Sequence, residues 1–233
     1  MFKKLVIVSF FLLAFDISAR PKCDSNWVKI ENGESIRYSI FCFKDGSWDV
    51  FRELNGKLHG EINSFFPNSN LKQKSYFIKG KEFGVRKGWL PDGTLSVYKP
   101  YYNGIPVDTH KVWYDNKNQE SIIIYDSTGN KNGWCRTWYE NGNIQDSTLY
   151  THGTKLQEFL YYENGKPMFT STLKEDGYIT SSMSWFPTGM KNGEVKNGNG
   201  KVLTPRTGNS YFDTLVVKDG KVQGAAYEYF KDR

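Results

Sequence analysis

The feature that most constrains the fold is an internal repeat. Paired aromatic or apolar residues recur at Phe65-Phe66, Trp89-Leu90, Trp113-Tyr114, Trp138-Tyr139, Tyr161-Tyr162 and Trp185-Phe186. Their first members are spaced 24, 24, 25, 23 and 24 residues apart. Two glycine series keep the same beat. One runs Gly93, Gly142, Gly165, Gly189, with Ser69 and Lys117 on the missing beats; the other runs Gly56, Gly80, Gly104, Gly129, Gly153, Gly177. Self-similarity at this period specifies a repeat architecture in which each unit buries its apolar face against its neighbours.

Each unit holds two turn signals 11 or 12 residues apart, many of them Asn-Gly or Asp-Gly, as at Asn103-Gly104, Asn141-Gly142 and Asp219-Gly220. Such dipeptides favour positive φ at both central turn positions, which suits paired strands. The stretches between them are rich in Tyr, Thr, Val, Ile and Trp, as in Glu120-Ser121-Ile122-Ile123-Ile124-Tyr125, a composition that fits strands. No stretch after residue 20 sustains helical spacing. The expectation is an all-β, elongated antiparallel meander, two strands per unit, forming a single twisted or coiled sheet. The beat slips in the Gly/Asn-rich stretch Lys191 to Lys201. It returns at Asp219-Gly220, with Tyr229-Phe230 as the last anchor. Degenerate end units are expected of a capped stack.

The first residues read differently. Lys3 and Lys4 precede an apolar run from Leu5 to Phe15, and Ile17-Ser18-Ala19 ends in small residues. That length suits a secretory signal peptide and is short for a membrane span. The expected organisation is a signal peptide at 1–19, cut after Ala19, and one β-repeat domain over 20–233. The chain is thereby placed in an exported compartment: periplasm, cell envelope or outside. Cys23 and Cys42 are 19 residues apart, and in an oxidising space a disulfide between them staples the N-terminal end. Cys135 is then the odd cysteine and reads as a small buried hydrophobe.

Composition removes several function classes. The 233 residues carry a net charge of +6, with the charges scattered, so no basic block tracks a phosphate backbone and no nucleic-acid partner is expected. With three histidines there is little material for acid–base or metal chemistry. There is no G-x-S-x-G and no H-E-x-x-H; His59-Gly60-Glu61 lacks the downstream Cys pair of a zinc deaminase; Glu175-Asp176 sits in a turn. The expectation is a protein that is not an enzyme and needs no cofactor or metal.

Units such as Trp138-Tyr139-Glu140-Asn141-Gly142-Asn143-Ile144 and Tyr161-Tyr162-Glu163-Asn164-Gly165-Lys166-Pro167 resemble MORN repeats. The bacterial variant of that repeat, which includes the YwqK-like antitoxin proteins, is the closer likeness. It covers roughly residues 30–190, with a further stretch over 215–233. The resemblance implies a β-repeat fold and a role as an interaction scaffold, a lipid-binding surface or an immunity protein. It supplies no catalytic residues. An antitoxin meets its toxin in the cytoplasm, which conflicts with the leader.

Successive strand residues point to opposite faces. The first anchors Trp89, Trp113, Trp138, Tyr161 and Trp185 are thus expected to form one stripe about 10 Å apart, twice the ~4.8 Å strand spacing. The second anchors Leu90, Tyr114, Tyr139, Tyr162 and Phe186 form another. A single sheet has no second layer to cover both, so one stripe is left as an exposed aromatic patch. The Trp-rich stripe is the candidate binding face. The expected partner is a protein, with a glycan or a membrane surface as the alternatives.

Overall fold

The computed structural model describes residues 23–205 and 212–228. The segment expected to be a leader, its expected cleavage point and the Tyr229-Phe230 pair lie outside the described residues. The described chain is all β: twenty strands in one antiparallel sheet, from Ser25–Glu31 at one edge to Lys221–Glu228 at the other. Each long strand pairs with the next in sequence. The sheet is an open meander, and its two outermost strands do not pair with each other.

The sheet has two kinds of turn, where the sequence suggested one, and the turns ending at Gly129 and Gly177 take the anchor-edge form at the opposite edge. Asn55-Gly56, Lys79-Gly80, Asn103-Gly104, His152-Gly153, Asn197-Gly198 and Asp219-Gly220 have positive φ at both central residues, the geometry of a two-residue hairpin. At the anchor edge only the last position is left-handed. There the anchor carbonyl accepts the N–H of the glycine three residues on, as Tyr139 does from Gly142 at 2.9 Å. The Tyr139 N–H closes the loop onto the Asn143 carbonyl at 2.8 Å. Asn141 accepts the Asn143 N–H through its side chain at 2.9 Å. Asp92, Asn116 and Asn164 do the same for the residue two places on, and Asp176 does so in a turn of the same form at the opposite edge. Short polar side chains are favoured here because they bond the backbone of their own turn. Ser69 and Lys117, which stand on the missing glycine beats, are left-handed, with φ of 67° and 71°.

A β-bulge follows every anchor. Thr137 pairs with Asp146 but Trp138 pairs with Ile144, leaving Gln145 as the extra residue. Lys72, Ser96, Glu120, Met168 and Asn192 hold the same position in the other units. A second bend series, Gly60, Gly84, Asp108 and Gly133, takes positive φ near the opposite edge. Bulges increase local twist and bend the sheet, and here they do so once per unit at each edge.

The bending gives this one-layer sheet a core. Tyr162, Met168, Phe169, Val195, Val202 and Val217 form a buried cluster, with Leu160, Ile179 and Leu215 against it. Ser184 is fully buried, and its Oγ accepts the Leu203 N–H at 3.1 Å, so the strand Ile179–Trp185 touches Asn199–Pro205 across the strand between them. A Cβ at Gly193 would stand 2.8 Å from the Val202 Cα, which leaves room only for glycine at that crossing. Lys191 to Lys201, where the sequence beat slips, is a hairpin beside this crossing, with Glu194 paired to Lys201 and Lys196 to Asn199. Near the other end Ile36, Ile40, Trp48 and Leu54 are buried. Cys23 and Cys42 are joined by a disulfide, with a Cα–Cα distance of 5.4 Å. Cys135 is free and buried.

Candidate binding face and the coil interior

Cross-strand pairing fixes which residues share a face. One continuous row runs Ser64, Gln73, Gly88, Val97, Val112, Ser121, Thr137, Asp146, Leu160, Phe169, Ser184 and Gly193, each paired directly with the next. The row contains the residue just before every first anchor. Because neighbours alternate, Trp89, Trp113, Trp138, Tyr161 and Trp185 lie on the opposite face. The row face is the inside of the coil: Gly88, Phe169 and Ser184 are buried, as are Ser75, Cys135, Thr148, Ser171 and Ser182, which share its parity. All five residues of the Trp-rich stripe are half-buried.

The second anchors open the turns and tie one unit to the next. The Tyr114 hydroxyl donates to the Trp138 carbonyl at 2.7 Å, Tyr139 to Tyr161 at 2.8 Å, and Tyr162 to Trp185 at 2.7 Å. Burial pushes the Tyr162 phenol up to about 12. Turn side chains add a parallel set of bonds: Asn116 and Asn118 both donate to the Glu140 carbonyl at 2.7 Å, and Asn141 and Asn143 to Glu163 at 3.0 and 2.8 Å. The tyrosine stripe is therefore an inter-unit strut. In the first units the same positions hold Phe43, Phe66 and Leu90, which have no hydroxyl to donate.

The coil interior carries a polar column that sequence reasoning missed. Arg86 donates to both carboxylate oxygens of buried Glu82, at 2.9 and 2.5 Å, and lies 5.1 Å from the centre of the Tyr101 ring. Hydrogen bonding to Glu82 raises the Arg86 guanidinium. His110 sits between the Tyr101 and Tyr125 rings, with centroids at 5.2 and 4.7 Å, and its Nε2 is 2.9 Å from the Pro100 carbonyl. Burial lowers its imidazole and raises the Tyr101 and Tyr125 phenols. Farther along, burial raises the Asp146 carboxyl although Thr148 donates to it at 2.5 Å. No repeat signal marks this column: Glu82, Arg86, His110 and Asp146 do not recur as residue types on the beat of the anchors or the glycines.

Among the described residues no group of three His, Cys, Asp or Glu side chains lies close enough to hold a metal ion. No helix of the described residues is long and apolar enough to cross a membrane. The arrangement offers a long, half-exposed aromatic face on a sheet whose other face is filled, over the later units, by the cluster of Phe169, Val195, Val202 and Val217. A scan of protein-family models finds no match to the chain, and a search of curated proteins finds none either.

Proposed function

We propose that this chain is an exported, non-catalytic repeat scaffold that binds another protein through the face carrying Trp89, Trp113, Trp138, Tyr161 and Trp185. The observation that carries the reading is the division of labour between the two anchors. The tyrosines are committed to struts between units, whereas the Trp-rich stripe lies outside the coil, half-buried and evenly repeated. Large aromatic side chains dominate interface energetics, and a repeat of about 10 Å suits an extended partner. The likeness to MORN-type scaffolds agrees with this reading. The Cys23–Cys42 disulfide favours export over a cytoplasmic antitoxin role.

The test is affinity capture from an envelope extract with the mature chain and with a Trp113→Ala/Trp138→Ala variant. The expected result is a captured protein that the folded variant loses. Identical capture by both removes the stripe from the binding function. Mass spectrometry of the mature N-terminus tests export: a first residue of Arg20 is expected, and intact Met1 on cytoplasmic protein contradicts it.

A further inference from the structure

A groove of about 720 Å³ lies between the first units, within the roughly 300–1,000 Å³ typical of ligand clefts. It is bordered by Phe43, Phe66 and Leu90, residues of the first units that lack the strut hydroxyl. Ser64, Gln73, Gly88 and Val97 of the inner row line it, and Asp49 pairs with Ser64, so the groove opens on the inner face of the first units, opposite the Trp-rich stripe, with Trp89 at its border.

Its charge is unbalanced. Asp45, Asp49 and Asp115 line it against one cation, Lys72. Asp45 is engaged in its own turn, accepting the Ser47 N–H at 2.9 Å and the Ser47 hydroxyl at 2.6 Å. Asp49 and Asp115 take part in no ion pair among the described residues. Lys72 places its ammonium 5.6 Å from the centre of the Phe66 ring, so the groove already holds one cation over an aromatic face. Cations near ring faces are attracted by the ring quadrupole, more strongly as water is excluded.

We propose that this groove receives a basic peptide segment, with lysine or arginine stems lying against the Phe43 and Phe66 rings and their charges directed to Asp49 and Asp115. The inference rests on the reading of the chain as a protein-binding scaffold and names the chemistry of the partner. Lys72 then competes for the site as an intramolecular stand-in for a ligand cation.

The probe is tetralysine, titrated calorimetrically into the mature chain at low salt, with its fully Nε-acetylated form as the neutral control. The expected result is saturable binding of tetralysine that acetylation weakens at least tenfold. Asp49→Asn with Asp115→Asn should weaken it to a similar extent, at an unchanged melting temperature. Lys72→Met should tighten it several-fold, a gain that loss of folding does not produce. Equal affinity for both peptides, no binding of either, or no gain from Lys72→Met overturns the inference. Tighter binding of a neutral hexasaccharide than of tetralysine reassigns the groove to a glycan. If tetralysine fails while envelope capture still depends on Trp113 and Trp138, the groove inference falls and the scaffold reading stands.

Discussion

The Tyr139 hydroxyl donates to the main-chain carbonyl of Tyr161, 2.8 Å away and one unit farther along the chain. It joins the turns of two neighbouring hairpins at the anchor edge, and the same bond recurs from Tyr114 and from Tyr162. Deleting the hydroxyl leaves a carbonyl short of a partner. Tyr139→Phe should therefore cost about 1 kcal/mol in urea unfolding, the usual net value of one hydrogen bond. Phe66→Tyr, which restores the pattern in a unit that lacks it, should narrow the groove and weaken tetralysine binding.

Ser69 occupies a left-handed position that other units fill with glycine. A non-glycine residue there costs about 1–2 kcal/mol. Ser69→Gly is expected to raise stability by about 1 kcal/mol, less what glycine adds to the entropy of the unfolded chain. The reverse change, Gly142→Ala, should lower it by a similar amount. At Gly142 the nearest side-chain atom would be 3.7 Å from a new Cβ, so the effect reads the backbone alone. Chemical denaturation of the two variants checks both signs.

His110 supplies a pH dependence with a defined sign. Burial lowers its imidazole below the ordinary value of 6.5, so the folded state favours the neutral ring. The unfolded chain binds the proton more readily. Stability attributable to His110 is thus full above about pH 6.5 and is lost as pH falls through that value toward the lower folded one. Urea midpoints between pH 7.5 and 5 should decline for the wild type, and His110→Gln should flatten that decline.

The disulfide closes a 19-residue separation, which the chain-entropy model values at about 3 kcal/mol. Reduction, or Cys23→Ser with Cys42→Ser, should lower stability by that order. Cys135, buried and raised by burial, should stay unreactive toward thiol reagents in the folded oxidised chain. Thiol counting before and after denaturation tests both statements.

The meander was legible because its signals repeat in phase: a paired anchor, a left-handed turn and a strand, unit after unit. Even the exceptions were legible, since Ser69 and Lys117 were placed on the glycine beat and both are left-handed. The bulges were not. Lys72, Ser96, Glu120, Gln145, Met168 and Asn192 share a position but no chemistry, because a bulge is defined by what the extra residue fails to pair with. The interior was hidden for a related reason. A tightly bent sheet admits only small side chains at its closest crossings, so Ser171, Ser182, Ser184 and Gly193 are core residues that a search for apolar stripes passes over. The struts needed the third dimension, since nothing in the sequence says which carbonyl Tyr139 reaches.

The most direct measurement is a pair of readings on the single variants Trp113→Ala and Trp138→Ala: the urea midpoint, and capture of a protein from an envelope extract. Half-buried on the outer face, each tryptophan should cost clearly less than the roughly 3–5 kcal/mol of a core aromatic. Each variant should remain folded at 25 °C and lose most of the capture. Unfolding of both variants, or full capture by both as folded proteins, would contradict a binding role for the Trp-rich face.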